Sequence, residues 1–160
     1  MHPVKKGFTQ KAGYPINNMA KSGPIIIVED DHDDQEIIQE IIRETGVKNE
    51  IIFFDRSEAA FRYLKTTPKQ PFIILSDVNL PRQNGVEFKR QIDEDPLLRA
   101  KSIPFIFFST SVEKSAVDTA YRELTVQGFF KKENSYAALK DVIHVILQYW
   151  KICRHPNSAE

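Results

Sequence analysis

Phe72-Ile73-Ile74-Leu75-Ser76-Asp77-Val78-Asn79-Leu80-Pro81 is the stretch that decides the fold. Its four leading apolar residues lack the alternation of a half-exposed strand and predict one buried on both faces, as in the interior of a parallel sheet. The run stops at a carboxylate, and Pro81 follows four residues later. Asp77 is therefore placed at the carboxyl end of a strand, the edge of an open α/β sheet where ligands bind. Ile25-Ile26-Ile27-Val28 repeats the pattern and ends in Glu29-Asp30-Asp31. Two buried strands thus deliver several carboxylates to one edge.

Between and beyond these strands the pattern alternates. After the first, Asp33 and Asp34 are candidate N-caps, Glu36 completes a capping box, and Ile37, Ile38, Ile41 and Ile42 form a helical stripe that Gly46 ends. Strand two is read as Ile51 to Phe54, followed by a capping box at Asp55-Arg56-Ser57-Glu58 and a helix burying Ala59, Ala60, Phe61, Tyr63 and Leu64 before Pro68. Past Asp77, the loop from Pro81 to Gly85 leads to a helix with Val86, Phe88 and Ile92, and a longer connection from Asp95 to Ile103 precedes strand four, Phe105 to Phe108. A helix from Val112 to Leu124, a short strand Gly128-Phe129-Phe130 and a last helix capped by Asn134 or Ser135 complete the chain. Five strands alternating with helices require parallel pairing and right-handed crossovers, hence a three-layer α/β sandwich.

Composition narrows the function. With 160 residues and 41% hydrophobic content the chain fits one domain with a full core and leaves no room for a separate output domain. Lys plus Arg number 22 and Asp plus Glu 22, so no net field favours nucleic acid or an anionic membrane. The lone Cys153 cannot form an internal disulfide, which fits a reducing cytoplasm, and no apolar run approaches the roughly 20 residues of a membrane span. Residues 1–23 carry four lysines, no acid and no periodicity, and read as a flexible basic leader; 24–150 read as the folded domain and 151–160 as a tail.

Four strand ends present polar groups to the same edge: Glu29, Asp30 and Asp31, then Asp77, then Ser109, then Lys132. Carboxylates without His or Cys suit a hard cation such as Mg²⁺. Adding a lysine and a hydroxyl gives the donors that phosphoryl transfer needs, with Asp77 able to attack phosphorus and form an acyl phosphate.

These residues resemble the receiver domain of bacterial two-component response regulators, over about Pro24 to Trp150. The resemblance implies a flavodoxin-like (βα)5 fold with a five-stranded parallel sheet in order 2-1-3-4-5. It places the metal-binding acid pair at Glu29 and Asp30 with Asp31 flanking, the phosphoacceptor at Asp77, and a main-chain metal ligand at the Asn79 carbonyl. Mg²⁺ or Mn²⁺ would be the cofactor. Ser109 takes the hydroxyl position, with Thr110 and Ser111 as neighbours; Lys132 is the phosphate lysine and Phe129 the switch aromatic. Glu133 stands where the family commonly has proline, Thr110 is bulkier than the usual Ala or Gly, and Ser replaces Thr at 109; none removes a reacting group. The loop from Asp95 to Ile103, the wording from Asn79 to Gly85 and the terminal Tyr149-Trp150 resemble short regulators paired with phytochrome-type kinases. A sensor histidine kinase or histidine phosphotransfer protein is the implied partner.

Two other readings compete. A haloacid-dehalogenase-type phosphohydrolase also uses a strand-end Asp, but needs a second acid two residues on, where this chain has Asn79, and a cap domain. A receiver-like scaffold acting without phosphorylation would not need the full set of reacting groups. In the receiver reading a phosphoryl on Asp77 draws Ser109 inward and Phe129 follows. The helix after strand four, strand five and the last helix then change surface together, offering Asp118, Tyr121, Arg122, Lys140 and His144 for partner or homodimer contact.

Overall fold

A computed structural model of the chain describes residues 21–110 and 113–157. Most of the expected leader, together with Ser111 and Val112, lies outside the described residues. Five strands, β1 (Ile25–Val28), β2 (Ile51–Phe54), β3 (Ile73–Ser76), β4 (Phe105–Ser109) and β5 (Gly128–Lys131), form one sheet in the order β2-β1-β3-β4-β5. Every pairing is parallel, with Val28 opposite Ser76 and Phe54, and Ser109 opposite Lys131. The helices are α1 (His32–Glu44), α2 (Ser57–Thr66), α3 (Gly85–Glu94), α4 (Pro96–Lys101), α5 (Lys114–Glu123) and α6 (Tyr136–Ile152). This is the flavodoxin-like arrangement that the resemblance implies.

Alternate residues of the buried strands serve opposite layers. Ile25, Ile27, Ile73, Leu75, Ile106 and Phe108 pack with Ile38, Ile41 and Ile42 of α1 and Leu139, Ile143, Ile146 and Trp150 of α6. Ile26, Val28, Ile74, Phe105 and Phe107 meet Ala60 and Leu64 of α2, Phe88 and Ile92 of α3, Leu98 of α4 and Ala120 of α5. Continuous apolar strands are thus explained by the period of two combined with cover on both faces. Because β1 continues outward to β2 while β3 starts the other half of the sheet, β1 and β3 end side by side where the strand order reverses, which opens a crevice there.

Local readings change at several points. Asp31, not Asp33 or Asp34, caps α1: its backbone is extended and its Oδ1 accepts from Asp33 N (2.9 Å) and Asp34 N (3.1 Å). The helix therefore starts two residues earlier, and Asp33 and Asp34 occupy its first turn, where the helix dipole favours acids. Ile37 is 37% exposed and leaves the apolar stripe, while Gly46 takes φ +83 just past the helix end, a conformation glycine adopts without strain. No side-chain cap closes α2; Ser57 Oγ instead donates to Gln83 Oε1 at 2.7 Å. Only Ala60 and Leu64 of its five expected core residues are buried, with Ala59, Phe61 and Tyr63 half-buried. The connection from Asp95 to Ile103 contains α4, whose N-cap Asp95 accepts from Leu97 N and Leu98 N with Pro96 at the first helical position. Of the two candidate caps for α6, Ser135 is used, accepting from Ala138 N.

Beyond α6 the chain folds back. His155 is 1% exposed, its ring stacked on Phe72 (centroids 5.8 Å apart) and edge-on to Trp150 (6.2 Å). Its Nε2 lies 2.7 Å from the Phe72 carbonyl and its Nδ1 accepts from Asn157 N at 3.2 Å, a pairing that the neutral ring with its proton on Nε2 satisfies. Asn157 Nδ2 in turn donates to the Lys101 carbonyl. Nearby, Lys151 Nζ donates to the Lys21 carbonyl (2.8 Å) and Asn49 Oδ1 (2.8 Å).

Candidate functional site: an acid pocket at the carboxyl edge of the sheet

Glu29, Asp77, Ser109 and Lys132 each leave from the last position of a strand or the first beyond it. Glu29 N donates to Phe54 O (2.9 Å) and Asp77 N to Val28 O (3.0 Å), so the ladder carries both acids one step past β1 and β3. Lys132 N likewise donates to Ser109 O at 2.8 Å, tying the end of β5 to that of β4. Glu29 is 3% exposed, Asp77 7%, Ser109 0% and Lys132 5%, so four polar side chains converge in a nearly dry pocket. Asp30 stands exposed at its rim.

Asp77 is held from three sides. Its Oδ1 accepts from Ser109 Oγ (2.7 Å) and Asn79 N (3.1 Å), and its Oδ2 lies 3.5 Å from Lys132 Nζ. The loop behind it is closed by Gly85, whose N–H donates to Val78 O at 2.7 Å. A Cβ at 85 would sit 2.1 Å from the Asp77 carbonyl oxygen. Lys132 places its ammonium 2.6 Å from Glu29 Oε2 and 3.1 Å from Asp34 Oδ2. Its neighbour Lys131 is exposed, as strand alternation requires.

The charges are strongly coupled. Burial pushes the Glu29 carboxyl up to about 7, although the Lys132 ammonium beside it pulls the other way. Burial also opposes the Lys132 charge, but the carboxylates of Glu29, Asp77 and Asp34 overcome it and hold its pKa above the ordinary lysine value. Glu29, Asp30 and Asp77 each offer an oxygen, all within 4.8 Å of one another. Three oxygen donors with one open, exposed side fit a hard divalent cation that keeps part of its water shell.

The other expected residues are placed less centrally. Asp31 faces the α1 backbone as its cap, Thr110 is exposed, and Ser111 falls outside the described residues. Phe129 is half-buried with its ring 5.4 Å from that of Phe107. Ser109, expected to be drawn inward by a phosphoryl group, already touches Asp77. On the surface, Lys140 pairs with Glu44 of α1 at 2.9 Å, so it belongs to the α1–α6 flank rather than to the face shared by α5 and β5. Among the exposed large apolar side chains are Tyr121 of α5, at 55%, and Val145 and Tyr149 of α6, at 58% each. The residue the sequence reading missed is Asp34. Read as a cap, it lies one turn into α1 and points back over the sheet edge; three residues after the true cap is the spacing that puts it there.

Comparison with known proteins gives one consistent answer. The family described as the response regulator receiver domain matches residues 25–144. Response regulator Rcp1 of Synechocystis sp. is 29% identical over 131 residues, covering 79% of this chain and 87% of Rcp1. Among solved structures, the phosphorylated cyanobacterial phytochrome response regulator RcpA superposes with a TM-score of 0.74 at 27% identity, over 83% of this chain and 97% of that one. The Mn²⁺-bound form of Rcp1 gives a TM-score of 0.73 at 28% identity, over 83% and 98%. No helix among the described residues is long and apolar enough to cross a membrane.

Proposed function

Because the chain belongs to the response regulator receiver family, a signalling rather than a metabolic family, we propose that Asp77 is its phosphoacceptor. The donor would be the phosphohistidine of a sensor histidine kinase or of a histidine phosphotransfer protein in the cytoplasm. The observation that carries this reading is the setting of Asp77: a nearly buried carboxylate with a hydroxyl, a main-chain N–H and an ammonium already around it.

The chemistry follows from those groups. A carboxylate oxygen of Asp77 attacks phosphorus, the P–N bond of the phosphohistidine breaks, and the departing imidazole takes a proton from solvent. Charge on the phosphoryl oxygens would be met by Lys132 and by the Ser109 hydroxyl, both already beside Asp77 before the reaction. Glu29, Asp30 and Asp77, with the Asn79 carbonyl, would hold Mg²⁺ or Mn²⁺, which when bound neutralises phosphoryl charge. The same groups would later admit water and release phosphate, making the lifetime of the signal a property of the domain, which we assign to 24–150, with the return of the chain after α6 packed against it. Phe129 and the face of α5, β5 and α6 would relay the change to a partner or a second copy.

The test is direct. Incubation with Mg²⁺ and a small phosphodonor, followed by mass mapping, should place one phosphoryl group on Asp77. Asp77→Asn should abolish uptake with the fold intact. Undiminished incorporation in that variant would sink the assignment, and no incorporation in the parent would favour a scaffold.

A further inference from the structure

Lys132 has three N–H donors and, at 5% exposure, little access to water. Three carboxylates meet them: Glu29 at 2.6 Å, Asp34 at 3.1 Å and Asp77 at 3.5 Å. Two of these, Glu29 and Asp77, also belong to the group of oxygens that fits a divalent cation, and Asp34 does not. Any event that turns Glu29 and Asp77 towards a cation and a phosphoryl group therefore leaves Asp34 as the one carboxylate still bound to the lysine alone. Its side chain is 36% exposed and rooted in the first turn of α1, which Asp31 caps, so it is anchored but has room to let go.

Resting on the phosphoacceptor reading above, we infer that Asp34 is a positioning residue that holds the Lys132 ammonium in the resting state and competes with the phosphoryl group for it. A phosphoryl carries about −1.5 to −2 charges and three acceptor oxygens. To bond one of them Lys132 must loosen its hold on a carboxylate, and Asp34, held less closely than Glu29 (3.1 against 2.6 Å), is the one of its three partners with the solvent access to be released. Its negative charge near the incoming dianion acts in the same direction. Asp34 thus sets how readily the pocket accepts, and how long it keeps, the group on Asp77.

Beryllofluoride, a phosphoryl analogue, is titrated with Mg²⁺ into the full chain, and bound fluoride is read by ¹⁹F NMR. Asp34→Asn should bind it roughly two- to fivefold more tightly, the scale of a partly exposed ion pair, and Asp34→Glu should return to the parent value. A second readout needs no metal: proton exchange at the Lys132 ammonium, followed by ¹⁵N NMR, should be faster in Asp34→Asn. A residue that merely favoured the α1 dipole would change stability and leave both readings alone. Uptake equal to or weaker than the parent's in Asp34→Asn overturns the inference and leaves the phosphoacceptor reading standing. Absence of uptake by the parent overturns both.

Discussion

Ser109 and Asp77 sit 2.7 Å apart before any phosphoryl arrives, so the switch does not begin with a long journey of the hydroxyl. On the phosphoacceptor reading proposed above, what would change on phosphorylation is the acceptor: a carboxylate shared with Asn79 N would become a dianion with more lone pairs to offer. A hydrogen bond to a charged group contributes about 1.5–3 kcal/mol, and this is the differential contact available to bias Phe129 and the surface beyond it. Ser109→Ala is expected to accept phosphoryl but to lose most of the beryllofluoride-dependent change in association. Sedimentation with and without beryllofluoride decides it, and a full response in the variant would rule out this route. At this scale the site was largely legible, because Glu29, Asp77, Ser109 and Lys132 stand at the ends of apolar runs that any reader of periodicity finds. Asp34 was not. It arrives by way of a helical turn and the reach of a lysine from 98 residues further along, neither of which leaves a mark in the local pattern.

All five strands were legible in the sequence, the helices less so at their ends and, once, in number. The start of α1 was misplaced because four acids in five positions, Asp30 to Asp34, are all able caps, and only the backbone conformation selects Asp31. The helix α4 was taken for loop because six residues are too few to display a 3.6 period, although Asp95-Pro96 is a cap followed by the residue favoured at the first helical position. The turn into α3 was placed correctly, and it makes a prediction. Gly85 has no room for a side chain, since an added Cβ would meet the Asp77 oxygen and, at 3.0 Å, the Val78 Cα, both backbone atoms. Gly85→Ala should destabilise the domain by about 1–3 kcal/mol, in the range of overpacked sites, and also misplace Asp77. Urea unfolding together with a measurement of phosphoryl uptake tests both; unchanged stability would mean that the loop relaxes freely.

Across the whole molecule, parallel pairing and the burial of both sheet faces followed from the alternation of strand and helix patterns, whereas the order of strands came from the resemblance to receiver domains. The return of the chain after α6 did not, because Cys153 to Asn157 has no period and His155 has no apolar neighbour in sequence. Its consequence is a pH dependence. Burial, aided by the nearby Lys21 ammonium, holds the His155 pKa below its ordinary value, against the Phe72 carbonyl that favours the charged ring. Lys151, whose Nζ lies 4.8 Å from the Phe72 ring centroid, adds a further positive charge on that side. With a lowered native pKa, the contribution of His155 is complete above about 6.5, falls as pH drops below that value, and is lost once pH has passed through the native pKa. Glu29 works in the opposite sense, because a carboxyl raised to about 7 takes up its proton in the folded state first, and stability rises as pH falls below that value. The difference between the parent and His155→Phe is therefore the quantity to measure: chemical denaturation at pH 7.5 and 5 should show the parent losing more stability than the variant. Equal losses would refute the role of His155. The chain has a single tryptophan, and it is the indole packed edge-on against this imidazole at the far end of the sheet from Asp77. An imidazolium quenches indole emission, so the protein carries its own optical gauge of the closed C-terminus: fluorescence should dim or shift as acid charges His155, yet stay level when the acid pocket is filled.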